Sequence, residues 1–141
     1  MKSAPAVIDT NVVVSGVLTK NSSSPTVRIL DGMLAGRFRF LLSVDLLAEY
    51  RDVLLRPRIR RRHRLSPTEI DVLLTEIAAN GAVVETEASS GSTGKGDGHL
   101  WRLLDAVPRS ILITGDLRLI DDPTRHGRAL LPHAFAETLE D

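Results

Sequence analysis

Short apolar runs, each bounded by polar or turn-forming residues, alternate along the chain with stretches whose apolar positions recur at helical spacing. Residues 4–9 read as a buried strand, and 39–42, 82–84 and 111–114 read as further strands. Ala129, Leu130 and Leu131 read as an edge strand. Between them, Ser24-Pro25 predicts a capped helix start with Pro in its first turn, and Val27, Leu30 and Leu34 fall on one face of that helix. Ser43 predicts the next cap, with Val44, Leu47, Tyr50 or Arg51, and Leu54 on the buried side until Pro57 halts the helix. An Arg-rich turn follows. Ser66-Pro67-Thr68-Glu69 is a capping-box signature, Ile70, Leu73 or Leu74, and Ile77 supply the stripe, and Asn80-Gly81 ends it.

Residues 89–98 form the only Gly-rich stretch and predict a mobile loop. Leu100, Leu103, Leu104 and Val107 then predict a helix stopped at Pro108, residues 117–120 a short helical turn, and Pro132 a terminal helix ending near Leu139. Strands alternating with helices predict a three-layer α/β/α fold with a mainly parallel central sheet. With 141 residues and no long linker or internal repeat, residues 1–141 are expected to form one domain.

Two of the strands end in an acid: Ala6-Val7-Ile8-Asp9 and Ile111-Leu112-Ile113-Thr114-Gly115-Asp116. If the two lie side by side in a parallel sheet, Asp9 and Asp116 emerge together at the carboxyl rim, where open α/β sheets bind ligands. Two such carboxylates repel unless a cation or a proton separates them, so a divalent-metal site is the expectation. Glu49, in the helix after the second strand, and Asp97, where the glycine loop gives way to a helix, can join the same rim. Each has a plainer alternative taken alone: Asp9 as a turn residue bonded to the Asn11 amide, Glu49 as a solvated helix residue, Asp97 as a helix cap. Mg²⁺ and Mn²⁺ prefer oxygen ligands, and such a site needs no Cys.

The chain in fact has none, which excludes disulfides, thiolate nucleophiles and thiolate metal ligands and agrees with a reducing compartment. The expectation is a soluble, cytoplasmic protein without a membrane span: no signal-type stretch and no run of 18 apolar residues occurs. Formal net charge is zero, so whole-molecule attraction to nucleic acid is excluded, but Arg56, Arg58, Arg60, Arg61, Arg62 and Arg64 crowd one segment that can contact phosphates or a partner protein. Gly91-Ser92-Thr93-Gly94-Lys95-Gly96 fails as a P-loop, because the glycine spacing is too short and Gly follows Lys95. Lys95 can still approach a phosphate from a flexible rim. His99, two residues after Asp97, can reach substrate, and Trp101 can stack on a base or pack on the sheet. An aspartyl-phosphate enzyme using Asp9 wants a second Asp at position 11, where the chain has Asn.

Val7-Ile8-Asp9-Thr10-Asn11 with the small residues Ser15-Gly16, the block 41–54 containing Glu49, Asp97, and Ile113-Thr114-Gly115-Asp116-Leu117-Arg118-Leu119 together resemble the PIN domain family of metal-dependent nucleases. The resemblance covers about residues 4–139. It implies that Asp9, Glu49, Asp97 and Asp116 hold Mg²⁺ or Mn²⁺, that Asn11 and Thr114 support them, and that the substrate is RNA, hydrolysed by metal-activated water to leave 5′-phosphate ends. It also implies a toxin of a toxin–antitoxin pair, inhibited by a cognate antitoxin; Pro57-Arg58-Ile59 resembles the subgroup of toxin components. The alternative is a catalytically weak PIN-like module that binds RNA or protein. The chain departs from the family at Gly94-Lys95-Gly96-Asp97-Gly98, where an Asp-Pro pair or a second acid is common, a departure that bears on a second metal position; Asp121 or Asp122 would be the substitutes. The apolar segment 130–135 is a candidate homodimer surface, with burial inside the monomer the alternative.

Overall fold

The three central strands, β1 (Ala6–Ile8), β2 (Phe40–Leu42) and β4 (Ile111–Ile113), are apolar at every position, as strands covered on both faces must be. With the two-residue edge strands β3 (Ala82–Val83) and β5 (Ala129–Leu130) they form a parallel sheet in the order β3-β2-β1-β4-β5. The register aligns Ala6 with Phe40 on one side and with Ile111 on the other, so β1 is the middle strand. The computed structural model describes residues 4–86, 98–122 and 127–139. The expected Gly-rich loop, including Lys95 and Asp97, lies outside the described residues apart from Gly98.

Helices α1 (Thr10–Leu18) and α2 (Pro25–Ala35) connect β1 to β2. Helices α3 (Val44–Leu55), α4 (Pro57–His63) and α5 (Pro67–Asn80) connect β2 to β3. Helix α6 (Gly98–Ala106) precedes β4, α7 (Leu117–Ile120) follows it, and α8 (Pro132–Glu137) follows β5. Crossovers that run in one direction deliver their helices to one face, and the return crossover to β4 delivers α6 to the other. Accordingly α1 packs on α2 and α3, α3 packs on α5, and α6 packs on β1 and β4, giving the three-layer α/β/α arrangement. The chain leaves β1 toward β2 and comes back to lay β4 on its other flank. The carboxyl ends of β1 and β4 are therefore the switch point of the sheet, the place such sheets leave a crevice.

Several helix details depart from the sequence expectation. The segment 10–18 was not expected to be helical: its run of Val disfavours a helix, but Asp9 caps it and Val12 and Val13 are buried, so packing overrides propensity. The Arg-rich turn is the helix α4. Pro57 ends one helix and opens the next as its first residue, with Arg56 extended between them. Helix α3 buries Leu46, Tyr50 and Leu54, whereas Val44 is 74% exposed, because Ser43 accepts the Leu46 amide at 3.1 Å and sets the helix phase with Val44 outward. Helix α2 buries Ile29, Leu30 and Met33 rather than the row through Val27 and Leu34, and Ser24 caps it by backbone only. The capping box of Ser66 and Glu69 is present as expected. Gly81 ends α5 in extended backbone instead of a left-handed turn; it is Gly because a Cβ would lie 2.5 Å from the Phe40 ring. Leu130 and Phe135 pack against the core, and Phe135 meets Phe38 edge-on at 5.0 Å.

Gly16 lies where α1 crosses α2. A Cβ there would sit 2.8 Å from the Thr26 carbonyl oxygen and 2.9 Å from Leu30 Cβ, and Ser15 and Thr26 share a hydroxyl hydrogen bond of 2.9 Å beside it. Overpacking of this kind costs about 1–3 kcal/mol, against a gain of up to about 1 kcal/mol in helix propensity. Gly16→Ala is therefore expected to lower Tm by roughly 3–8 °C in a thermal melt. An unchanged or raised Tm would mean that the two helices do not approach this closely.

Candidate functional site at the carboxyl rim of the sheet

Because β1 stops at Ile8, the next residue turns out of the sheet at its rim. Asp9 does so while 6% exposed, and its backbone amide still donates to the Ile113 carbonyl of β4 at 2.9 Å. Its Oδ1 accepts the Thr10 amide at 2.8 Å, and its Oδ2 accepts the Asn11 side-chain amide at 3.0 Å and the Thr114 hydroxyl at 2.6 Å. The turn-residue alternative is thus half right: Asp9 caps α1, through Thr10 and not through the Asn11 backbone. Donors on several sides satisfy this buried carboxylate and fix its orientation.

Asp116 comes from the adjacent strand. Its amide donates to Thr114 Oγ1 at 3.0 Å, so a single hydroxyl links the turn after β4 to Asp9. The Asn11 amide oxygen closes the same gap by accepting the Gly115 amide at 3.2 Å. Asp116 caps α7 and is gripped by Arg118, whose Nε lies 3.1 Å from Oδ1 and whose Nη2 lies 2.7 Å from Oδ2. The Arg118 side chain, together with its backbone amide, holds the Asp116 carboxyl below the usual carboxylate range.

Glu49 reaches the rim from the middle of α3. Its Oε1 accepts the Thr10 hydroxyl, so the residue after Asp9 ties the second carboxylate to the first. Tyr50, the next residue, is fully buried and donates its hydroxyl to the Ile8 carbonyl at 2.5 Å, the last carbonyl before Asp9. Burial raises the Tyr50 phenol well above its ordinary value, and the Asp9 and Glu49 carboxylates raise it further, so the phenol stays a neutral donor. His99, 4% exposed on α6, places Nε2 3.4 Å from Glu49 Oε1, and neither ring nitrogen has a well-formed hydrogen bond among the described residues. His99 therefore abuts Glu49 and is not a surface histidine. Trp101 packs against the core, half-buried.

These groups open into a cleft of about 560 Å³. One wall is a face of α1, with Asn11, Ser15 and Leu18 a turn apart; the facing wall is α3, with Glu49, Val53 and Arg56 in the same spacing. Asp9, Thr10 and Asp116 form the floor and rim, and Arg62 of α4 adds a cation. Asp9, Asn11, Glu49 and Asp116 thus line one cleft, and Thr114 joins it through its hydrogen bond to Asp9. Asp97 and Lys95 lie outside the described residues, and neither Asp121 nor Asp122 lines the cleft. Three residues were not foreseen: Thr10, visible only as the neighbour of Asp9; Tyr50 as a bridge; and Arg118, whose signal was a cation two residues beyond a strand-end acid.

The donors are all oxygen, which suits a hard divalent cation. Among the described residues, however, no three His, Asp or Glu stand close enough together to hold one. What the geometry establishes is a doubly wound α/β domain with an acidic cleft at its switch point. The chain belongs to the PIN domain family: the family profile, described as PIN domain, matches residues 5–118, from the strand before Asp9 to the residue that grips Asp116. PIN domains make up a nuclease superfamily often linked to toxin–antitoxin systems. No curated protein matches the chain. No helix among the described residues is long and apolar enough to cross a membrane.

Proposed function

We propose that the protein is a Mg²⁺- or Mn²⁺-dependent endoribonuclease, the toxin of a toxin–antitoxin pair. The observation that carries this reading is the convergence of Asp9, Glu49 and Asp116 on one cleft at the switch point of the sheet. Asp9, Glu49 and Asp116, with Asp97 from the segment before α6, would hold the ion. When bound, Mg²⁺ or Mn²⁺ supplies Lewis-acid activation of water and charge stabilisation on the departing oxygen. The chain's own part is orientation. Thr114 and Asn11 fix both the Asp9 carboxylate and the turn that carries Asp116, and Thr10 does the same for Glu49. Arg62 offers a guanidinium to the RNA backbone on the open side. Water adds to phosphorus in line with the 3′-oxygen, which leaves as a 3′-hydroxyl, and the 5′-phosphate stays on the downstream fragment.

The test is incubation of the purified protein with a panel of single-stranded and structured RNAs, with and without Mn²⁺ or Mg²⁺, followed by end-group mapping. Cleavage that needs metal and leaves 5′-phosphate ends supports the assignment. A folded protein that cuts nothing across the panel overturns it in favour of the second reading, a PIN-like module that binds RNA or protein without cutting. That second reading has its own support in the grip of Arg118 on Asp116 and in the lack of a three-ligand cluster among the described residues. A small gene abutting this one, whose product binds the protein and stops cleavage, would support the antitoxin assignment.

A further inference from the structure

Helix α4 stands between two clefts. On one side Arg56 and Arg62 line the carboxylate cleft; on the other Arg60, Arg61 and Arg64 line a second cleft of about 440 Å³ closed by the start of α5. The segment holds six of the eighteen basic residues of a chain that is neutral overall, and no acid occurs between Asp52 and Glu69. Arg56 is paired, with Asp52 at 3.1 Å. Among the described residues the remaining five Arg have no ion-pair partner, and the Arg60 Nε is buried without a hydrogen bond. Part of this charge answers the helix dipole, since Arg60, Arg61 and Arg62 fall in the last turn. Dipole compensation needs one or two cations, not a row that continues to Arg64 beyond the helix end.

We infer that α4 is a phosphate track that leads an RNA strand out of the carboxylate cleft and into the second cleft, an inference that rests on the nuclease reading above. Seven helical residues span about 10 Å, a length that a few consecutive phosphates cover. Cations beside a cleft floored by carboxylates are what a polyanion needs in order to enter it. The track is sequence-tolerant, because among the described residues no Phe, Tyr or Trp lines either cleft to stack bases. RNA is favoured over an acidic protein segment because the row is continuous with the reaction cleft through Arg62.

The experiment is fluorescence anisotropy with a labelled 20-nucleotide single-stranded RNA of mixed sequence, in EDTA so that nothing is cut, across 50–200 mM KCl. Each phosphate contact on a single strand contributes about 0.7 to the slope of log affinity against log salt. Combined Arg60→Gln, Arg61→Gln and Arg64→Gln is expected to flatten the slope by about 2 and to weaken binding roughly tenfold or more at the low-salt end. The three Lys replacements together are expected to restore the slope, and Arg37→Gln, on an exposed residue that lines neither cleft, to leave it as in wild type. Should the triple variant misfold by circular dichroism, Arg61→Glu alone, on an exposed side chain, is expected to lower affinity in the same assay. A wild-type slope in the folded triple variant overturns the track, as does a wild-type protein that binds no RNA. Loss of binding to a 20-residue poly-glutamate peptide with RNA binding intact also overturns it, and assigns the surface to a protein partner. Because binding is read without metal, RNA held in this way but never cut counts against the nuclease reading alone; cutting with an unaltered slope counts against the track alone.

Discussion

Asp116→Asn is expected to abolish metal-dependent RNA cleavage, by about a thousandfold or more in kcat/KM, while leaving the fold nearly as stable as before. Loss of one carboxylate from a metal-binding set removes several kcal/mol of charge stabilisation, and each 1.36 kcal/mol is about tenfold in rate. The stability cost is small because the partner that is lost, Arg118, is 86% exposed, and exposed ion pairs contribute little. Asp116 is thus the clean position for the test, and Asp9 is not. Asp9 receives hydrogen bonds from the Thr10 amide on one oxygen and from Asn11 and Thr114 on the other. An Asn at position 9 would turn its amide hydrogens toward one of those donor sets, leaving a buried mismatch that costs about 1–3 kcal/mol. Steady-state kinetics and a thermal melt on both variants separate the effects. Cleavage by Asp116→Asn within tenfold of wild type would remove Asp116 from the site.

Tyr50 is expected to give the largest loss of stability among the residues around the cleft. Tyr50→Phe strands the buried Ile8 carbonyl at a cost of about 1–3 kcal/mol, and Tyr50→Ala adds the loss of a fully buried ring, about 3–5 kcal/mol. Urea titration reads both. The side chain also joins the strand that delivers Asp9 to the helix that delivers Glu49. Tyr50→Phe is therefore expected to lower kcat by about 10–100-fold, as loss of a supporting contact does at a metal site. Full activity in a measurably destabilised Tyr50→Phe protein would show that the bridge serves stability alone.

The strands, with Asp9 and Asp116 just past the ends of two of them, were legible in the sequence because they depend on local signals: apolar runs buried on two faces, each closed by a polar residue where the sheet ends. The capping box at Ser66 and the Pro at position 67 made α5 equally legible. Helix α1 was not, since Val12, Val13 and Val14 carry a strand-like preference and only the tertiary position of Asp9 and of α2 makes them helical. The double role of Pro57 was misjudged for a related reason: the rule that stops a helix before Pro holds, but the same Pro opens α4. Within the site, pairing partners far apart in sequence could not be foreseen. Nothing local says that Thr10 meets Glu49 or that Tyr50 reaches Ile8, and the choice of Tyr50 over Arg51 as the buried residue required the phase that Ser43 imposes.

The hydrogen bond between Asp9 and Thr114 spans 105 positions of sequence. Such separation is costly to close early, so β4 is expected to dock against β1 late in folding. A chain made only as far as α5 has Asp9 and Glu49 but neither Thr114 nor Asp116. The Asp9 carboxylate therefore lacks its Thr114 donor, and the cleft its Asp116 side, until β4 is in place.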